Sequence, residues 1–94
     1  MSNTLFFKPK HKWLANIISI ETPVKAKTSV RELSKLWNRN KSRRFRVLLI
    51  RSVVLTMNRI RALLNKSGLS SKERREFRII WRVYANWLRT HKIR

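Results

Sequence analysis

The sequence predicts a mostly α protein: a small three-helix arrangement preceded by an extended basic arm. Three observations carry this expectation. Glycine occurs once and proline twice in 94 residues, which leaves little of the turn chemistry that a β architecture needs. Apolar residues recur at three- and four-residue spacing in three separate stretches after residue 29, the period of a helix with one buried face. Cap signals stand at the starts and stops of those stretches.

Residues 1–28 read as the arm. Within it "FFKPKHKW" interleaves Phe6, Phe7 and Trp13 with Lys8, Lys10 and Lys12, and Pro9 interrupts any helix there. Ile17, Ile18 and Ile20 suit a short strand or a helical turn, and "TPVKAKTS" (22–29) reads as an extended linker. Every arginine follows residue 28, so the chain changes character there.

The helical body spans 29–94. Its first helix, about 30–40, is expected to open with "SVRE", in which Ser29 and Glu32 have capping-box spacing. Val30, Leu33, Leu36 and Trp37 then share one side. The second helix, about 43–66, has Phe45, Leu49, Val53, Met57, Ile60 and Leu64 as its main apolar stripe. A second line, Leu48, Leu55 and Ala62, is expected to pack on the first helix or to dock on another protein. Gly68 suits a left-handed position just past the helix end, and "SSKE" gives Ser70 and Glu73 another capping box. The third helix, about 71–91, is therefore expected to fold back on the second as an antiparallel hairpin.

Charge dominates the composition. Lys and Arg number 24 against 4 acidic residues, a formal net charge of +20. So large an imbalance makes a compact chain repel itself unless a polyanion lies against it, and a core this small leaves a narrow stability margin. A hydrophobic fraction of 43% with 4 Trp is too high for a disordered basic tail. With no Cys there is neither disulfide nor thiolate metal site.

The third helix concentrates the charge. In "RREFRIIWRVYANWLR" (74–89), Arg75, Arg78, Arg82 and Arg89 fall within an arc of roughly 60° at 100° per residue. Phe77, Ile80, Trp81, Val83, Tyr84, Trp87 and Leu88 take most of the remaining circumference, which predicts burial nearly all round. A solvated face ordinarily mixes acids with bases to form i,i+4 pairs; this one holds only Arg and Asn. Planar guanidinium groups suit bidentate contacts with phosphate. Arg43, Arg44, Arg51 and Arg59 repeat the theme on the second helix. Lys8, Lys10, Lys12 and Trp13, with Phe6, Phe7 and His11, suit phosphate contact and base stacking in the arm. These twelve Arg, Lys and Trp positions are the candidate nucleic-acid contacts.

An enzyme is not expected. Glu32 and Glu73 are absorbed by capping, Glu21 and Glu76 stand apart, and His11 and His91 lie at opposite ends of the chain, so no catalytic or metal-binding cluster can be assembled. His91 is expected to complement the dipole at a helix C-terminus. No cofactor and no small-molecule substrate are implied. The "SGLSS" connection lies between helices longer than those of a helix-turn-helix, and the Trp81 to Asn86 spacing departs from the homeodomain recognition helix.

In its composition, a basic aromatic arm and an arginine-rich helical body, the chain is similar to small basic ribosomal proteins, particularly lineage-specific ones of organelles. That resemblance implies a non-catalytic structural protein that stabilises rRNA by phosphate contacts, with structured RNA and neighbouring proteins of a large particle as partners. Two other readings stand beside it: a helical small subunit of a nucleic-acid-guided effector complex, and a basic membrane-associated accessory subunit of a respiratory-type complex. The longest apolar run, "VLLIRSVVLTM" (47–57), contains Arg51 and is shorter than a membrane span. The first 20 residues lack acids, as a mitochondrial presequence does, but they also lack Arg. Location is thus expected in a ribonucleoprotein particle, mitochondrial or cytoplasmic.

Overall fold

A computed structural model describes Leu14 and residues 17–92. Three helices account for most of this span: α1 (Pro23–Arg39), α2 (Arg43–Leu64) and α3 (Ser71–Thr90). No strand occurs among the described residues, so the chain is mostly α. The candidate contacts Lys8, Lys10, Lys12 and Trp13, with Phe6, Phe7 and His11, lie outside the described residues.

α1 starts seven residues before the predicted boundary, within the stretch expected to be an extended linker. Thr22 is its cap, with Oγ1 accepting the Lys25 N–H at 3.1 Å. Pro23 follows at the first helical position, where its missing N–H costs nothing and its fixed φ already suits the helix. A Lys25–Glu21 ion pair of 2.9 Å spans the same turn.

Ser29 is accordingly no cap. It lies mid-helix and buried, and Glu32 pairs with Lys35 at 3.5 Å instead of reaching back. The Ser29 hydroxyl donates to the Ile17 carbonyl at 2.6 Å, with the Lys25 carbonyl 2.9 Å away, and accepts the Ser19 N–H at 3.0 Å. Tyr84 closes this network from α3: its phenol donates to the Ser19 carbonyl at 2.5 Å and accepts the Ser19 N–H at 3.1 Å. Burial pushes the Tyr84 pKa above its ordinary value, with the hydrogen bonds to Ser29 and to the Ser19 backbone opposing the shift. The segment before α1 is thereby tied to both α1 and α3. Ile18 N–H also bonds to the Leu14 carbonyl at 3.1 Å.

α3 is the central element. Ser34 meets Trp87 and Trp37 meets His91, so α1 and α3 run in the same sense. Arg74 reaches the Leu64 carbonyl at one end of the pair α2 and α3. At the other, Arg46 covers Trp37, which touches Trp87, so these two helices run antiparallel. Leu33, Leu49, Val53, Ile60, Ile80 and Tyr84 are the large side chains fully removed from solvent, the aliphatic ones each contributing about 1.5–3 kcal/mol relative to exposure. Phe45, Met57 and Leu64 pack partly against them, as the predicted stripe of α2 requires.

Of the second apolar line of α2, only Leu48 packs, partly, against the core. Leu48 is half-buried, but Leu55 is 68% exposed and Ala62 is exposed. α3 lies between the other two helices and takes most of their contacts, which leaves Leu55 and Ala62 of α2 exposed. Of the apolar arc predicted for α3, Ile80, Tyr84 and Trp87 are buried and Phe77, Trp81, Val83 and Leu88 pack partly against the core, while Ile79, outside that arc, is 39% exposed.

α2 ends at Leu64, two residues before the predicted boundary, with Asn65 as its cap and a tightened Lys66 N–H to Leu63 carbonyl bond of 3.1 Å. Gly68 adopts φ +91°, three residues past that cap. A Cβ there would meet no atom within 4 Å, so substitution is penalised by backbone conformation alone. Gly68→Val is expected to lower stability by about 1–2 kcal/mol, a fall in Tm of about 5–10 °C for a domain of this size. An unchanged thermal midpoint would contradict the positive φ. The start of α3 is the predicted one: Ser70 Oγ accepts the Glu73 N–H at 3.1 Å and Glu73 accepts the Ser70 N–H at 3.0 Å. Accepting that backbone N–H, and in smaller part the Ser70 side chain's bond, holds the Glu73 carboxyl below its ordinary pKa.

Candidate nucleic-acid interface

Two arginines that carry charge are committed to the fold. Arg46 donates through Nε to the Asn40 carbonyl and through Nη2 to the Trp37 carbonyl, both at 2.9 Å, while its guanidinium lies 4.6 Å from the centroid of the Trp37 ring. Arg74 donates to the carbonyls of Leu64 at 2.9 Å and Lys66 at 3.3 Å. Each therefore closes a helix terminus whose carbonyls have no partner within the helix. Neither residue was among the sequence candidates.

The candidate arginines behave differently. Arg43, Arg44, Arg51, Arg59, Arg75, Arg78, Arg82 and Arg89 are all exposed. The ion pairs among the described residues are Lys25–Glu21 and Lys35–Glu32, and neither uses an arginine. Among the described residues, Arg89 alone of the eight has a side-chain hydrogen-bond partner, the Asn86 amide oxygen at 3.4 Å. The four on α3 lie on the side opposite Ile80, Tyr84 and Trp87, as the period of the helix dictates.

Packing of α3 against α2 gathers part of this set. A cleft of about 300 Å³ is lined by Arg61, Leu64, Arg78, Trp81 and Arg82. Beside it lies a groove of about 390 Å³ formed by Ser71, Arg74, Arg75, Arg78, Ile79 and Arg82. The two share Arg78 and Arg82. Arg89 stands seven residues further along α3, roughly 10 Å away along the axis, and lines neither.

Arg43, Arg44 and Arg51 line a separate open groove of about 800 Å³ with Ser42, Phe45, Val47 and Leu48 at the start of α2. From Arg44 to Arg61 along that helix is roughly 25 Å at 1.5 Å per residue, so the cationic areas are distinct. The first turn of α2 contains no acid. Arg43 and Arg44 there face the positive end of the helix dipole, an arrangement that favours a bound anion. Arg59 is exposed but lines none of these hollows.

Arg61 and Trp81 are the residues that sequence reasoning passed over. Trp81 read as core from its place in the apolar arc, and Arg61 sat outside the predicted ridge. Both acquire their neighbours only through the hairpin. At the far end, Trp37 and Trp87 meet edge to face at 5.8 Å, His91 stacks on Trp87 at 4.3 Å, and His91 Nδ1 lies 2.8 Å from the Trp87 carbonyl. His91 is thus the cap residue of α3, packed as well as polar.

No group of three or more His, Cys, Asp or Glu that could hold a metal ion occurs among the described residues. None of the helices described is long and apolar enough to cross a membrane. Comparison of the chain with protein-family models, with curated proteins and with solved structures gave no match.

Proposed function

We propose that the protein is a non-catalytic RNA-binding structural protein, in the manner of a small ribosomal protein that stabilises rRNA by phosphate contacts within a large particle. The observation that carries this reading is the state of the arginines. In a chain of net charge +20, none of the described arginines is ion-paired, and those of the α3 ridge are presented to solvent. Unneutralised guanidinium groups on a rigid helix supply the electrostatic, sequence-independent part of nucleic-acid affinity. Separate cationic areas at the two ends of α2 favour several RNA segments over one duplex lying in a single groove. The exposed Leu55 and Val54 favour a site where neighbouring protein covers part of α2. The lysine-rich arm is the further RNA contact in this proposal, and the particle is mitochondrial or cytoplasmic.

Sedimentation of the native protein from lysate tests it directly. The protein is expected to travel with a large particle, and ribonuclease is expected to shift it to the light fractions. Release by detergent alone, with ribonuclease having no effect, would favour a membrane-associated accessory subunit instead.

A further inference from the structure

We infer that the cleft between α2 and α3 holds one nucleotide of an unpaired RNA strand, its base against the Trp81 ring and its flanking phosphates on Arg61, Arg78 and Arg82. The inference rests on the RNA-binding reading above and adds to it a defined subsite. Trp81 is the exception among the described tryptophans. Trp37 is engaged by Arg46, Trp87 and His91, and the Trp87 indole N–H donates to Ser34 Oγ at 3.1 Å. Trp81 is half-buried, borders the cleft, and has neither a ring partner nor a hydrogen-bond acceptor for its indole N–H among the described residues.

Three guanidinium groups from two helices line the same cleft, and no carboxylate does. Like charges gathered in this way repel each other unless an anion lies between them. A ligand combining an aromatic face with negative charge satisfies the ring and the cations together, and a nucleotide has that chemistry. A volume of about 300 Å³ is at the small end for ligand sites, enough for one nucleotide and too small for the side of a helix. Stacking on Trp81 requires the base to be out of a duplex, since paired bases present only their edges. The adjoining groove, with Arg75 and the shared Arg78 and Arg82, continues the line of charge to a following phosphate. That continuity favours a strand over a free nucleotide.

The test uses the full-length protein with a labelled single-stranded RNA octamer, a hairpin duplex and free AMP as competitor. Trp81→Leu is expected to weaken octamer binding roughly tenfold, the usual magnitude of one stacked base, and to leave duplex binding within about twofold of wild type. Trp81→Phe is expected to retain most of the octamer affinity. AMP is expected to compete only far above the octamer concentration; competition at equal concentration would overturn the assignment to a strand. Should Trp81→Leu fail to fold, ultraviolet crosslinking of the wild-type protein to a 4-thiouridine octamer decides the matter. A crosslink on the Trp81 peptide supports the subsite, and crosslinks found only elsewhere overturn it. Octamer affinity unchanged in Trp81→Leu, or equal losses on octamer and duplex, would overturn the subsite and leave the phosphate-binding reading standing. Failure of the wild type to bind either RNA would overturn both.

Discussion

Replacing Arg75, Arg78, Arg82 and Arg89 together by Gln is expected to flatten the salt dependence of RNA binding by about three units of the log–log slope. If roughly six phosphates are neutralised by the wild type, its slope lies near −4 to −5, because each contact contributes about 0.7 to 0.9. All four side chains are exposed, and none caps a helix or pairs with an acid. Helicity by circular dichroism should therefore stay the same while affinity at low salt collapses. Binding measured from 50 to 500 mM KCl in both proteins separates charge from shape. An unaltered slope would remove the ridge from the interface.

The other large effect concerns stability. Trp87 is 4% exposed, bonds to Ser34, meets Trp37 edge to face and lies under His91. Trp87→Ala is expected to cost about 3–5 kcal/mol, the usual range for a large aromatic removed from a core. Small domains have only about 5–15 kcal/mol in total, and a net charge of +20 places this one toward the lower end. The free variant should be largely unfolded at 37 °C. Structured RNA in excess should restore its helical signal, since a ligand that binds only the folded form stabilises it by mass action. Thermal melts with and without RNA check both halves, and a free variant melting within a few degrees of wild type would contradict the central place of Trp87.

Local signals in the sequence were sound where the structure is local. The Ser70 and Glu73 box, the left-handed Gly68 and the apolar stripe of α2 are each set within one turn or one helix, and each was legible from spacing alone. The ridge on α3 was legible for the same reason, because a single helical period places its four arginines together. Ser29 and Glu32 have the same spacing as Ser70 and Glu73, yet only the latter cap a helix. What separates the two pairs is that Thr22 and Pro23 have already started α1, a cap with proline at the first helical position that reads equally well as an extended linker. The Ser19, Ser29 and Tyr84 network joins residues as far as 65 apart in sequence, and no period or motif announces it. Leu55 was placed correctly on a second line of α2 but left bare, because α3 occupies the space between the outer helices. The Arg61 and Trp81 cleft depends on how two helices lie against each other, which one-dimensional spacing does not contain.

Arg46 and Arg74 give the basic composition a second meaning. Each fork closes two carbonyls at a corner of the chain, a task that a lysine ammonium, with its single compact head, performs poorly. Exchange of arginine for lysine would then be tolerated unevenly: on the outer rows it keeps the electrical character, whereas at these two corners it would leave the bends unpinned without altering the total charge by a single unit.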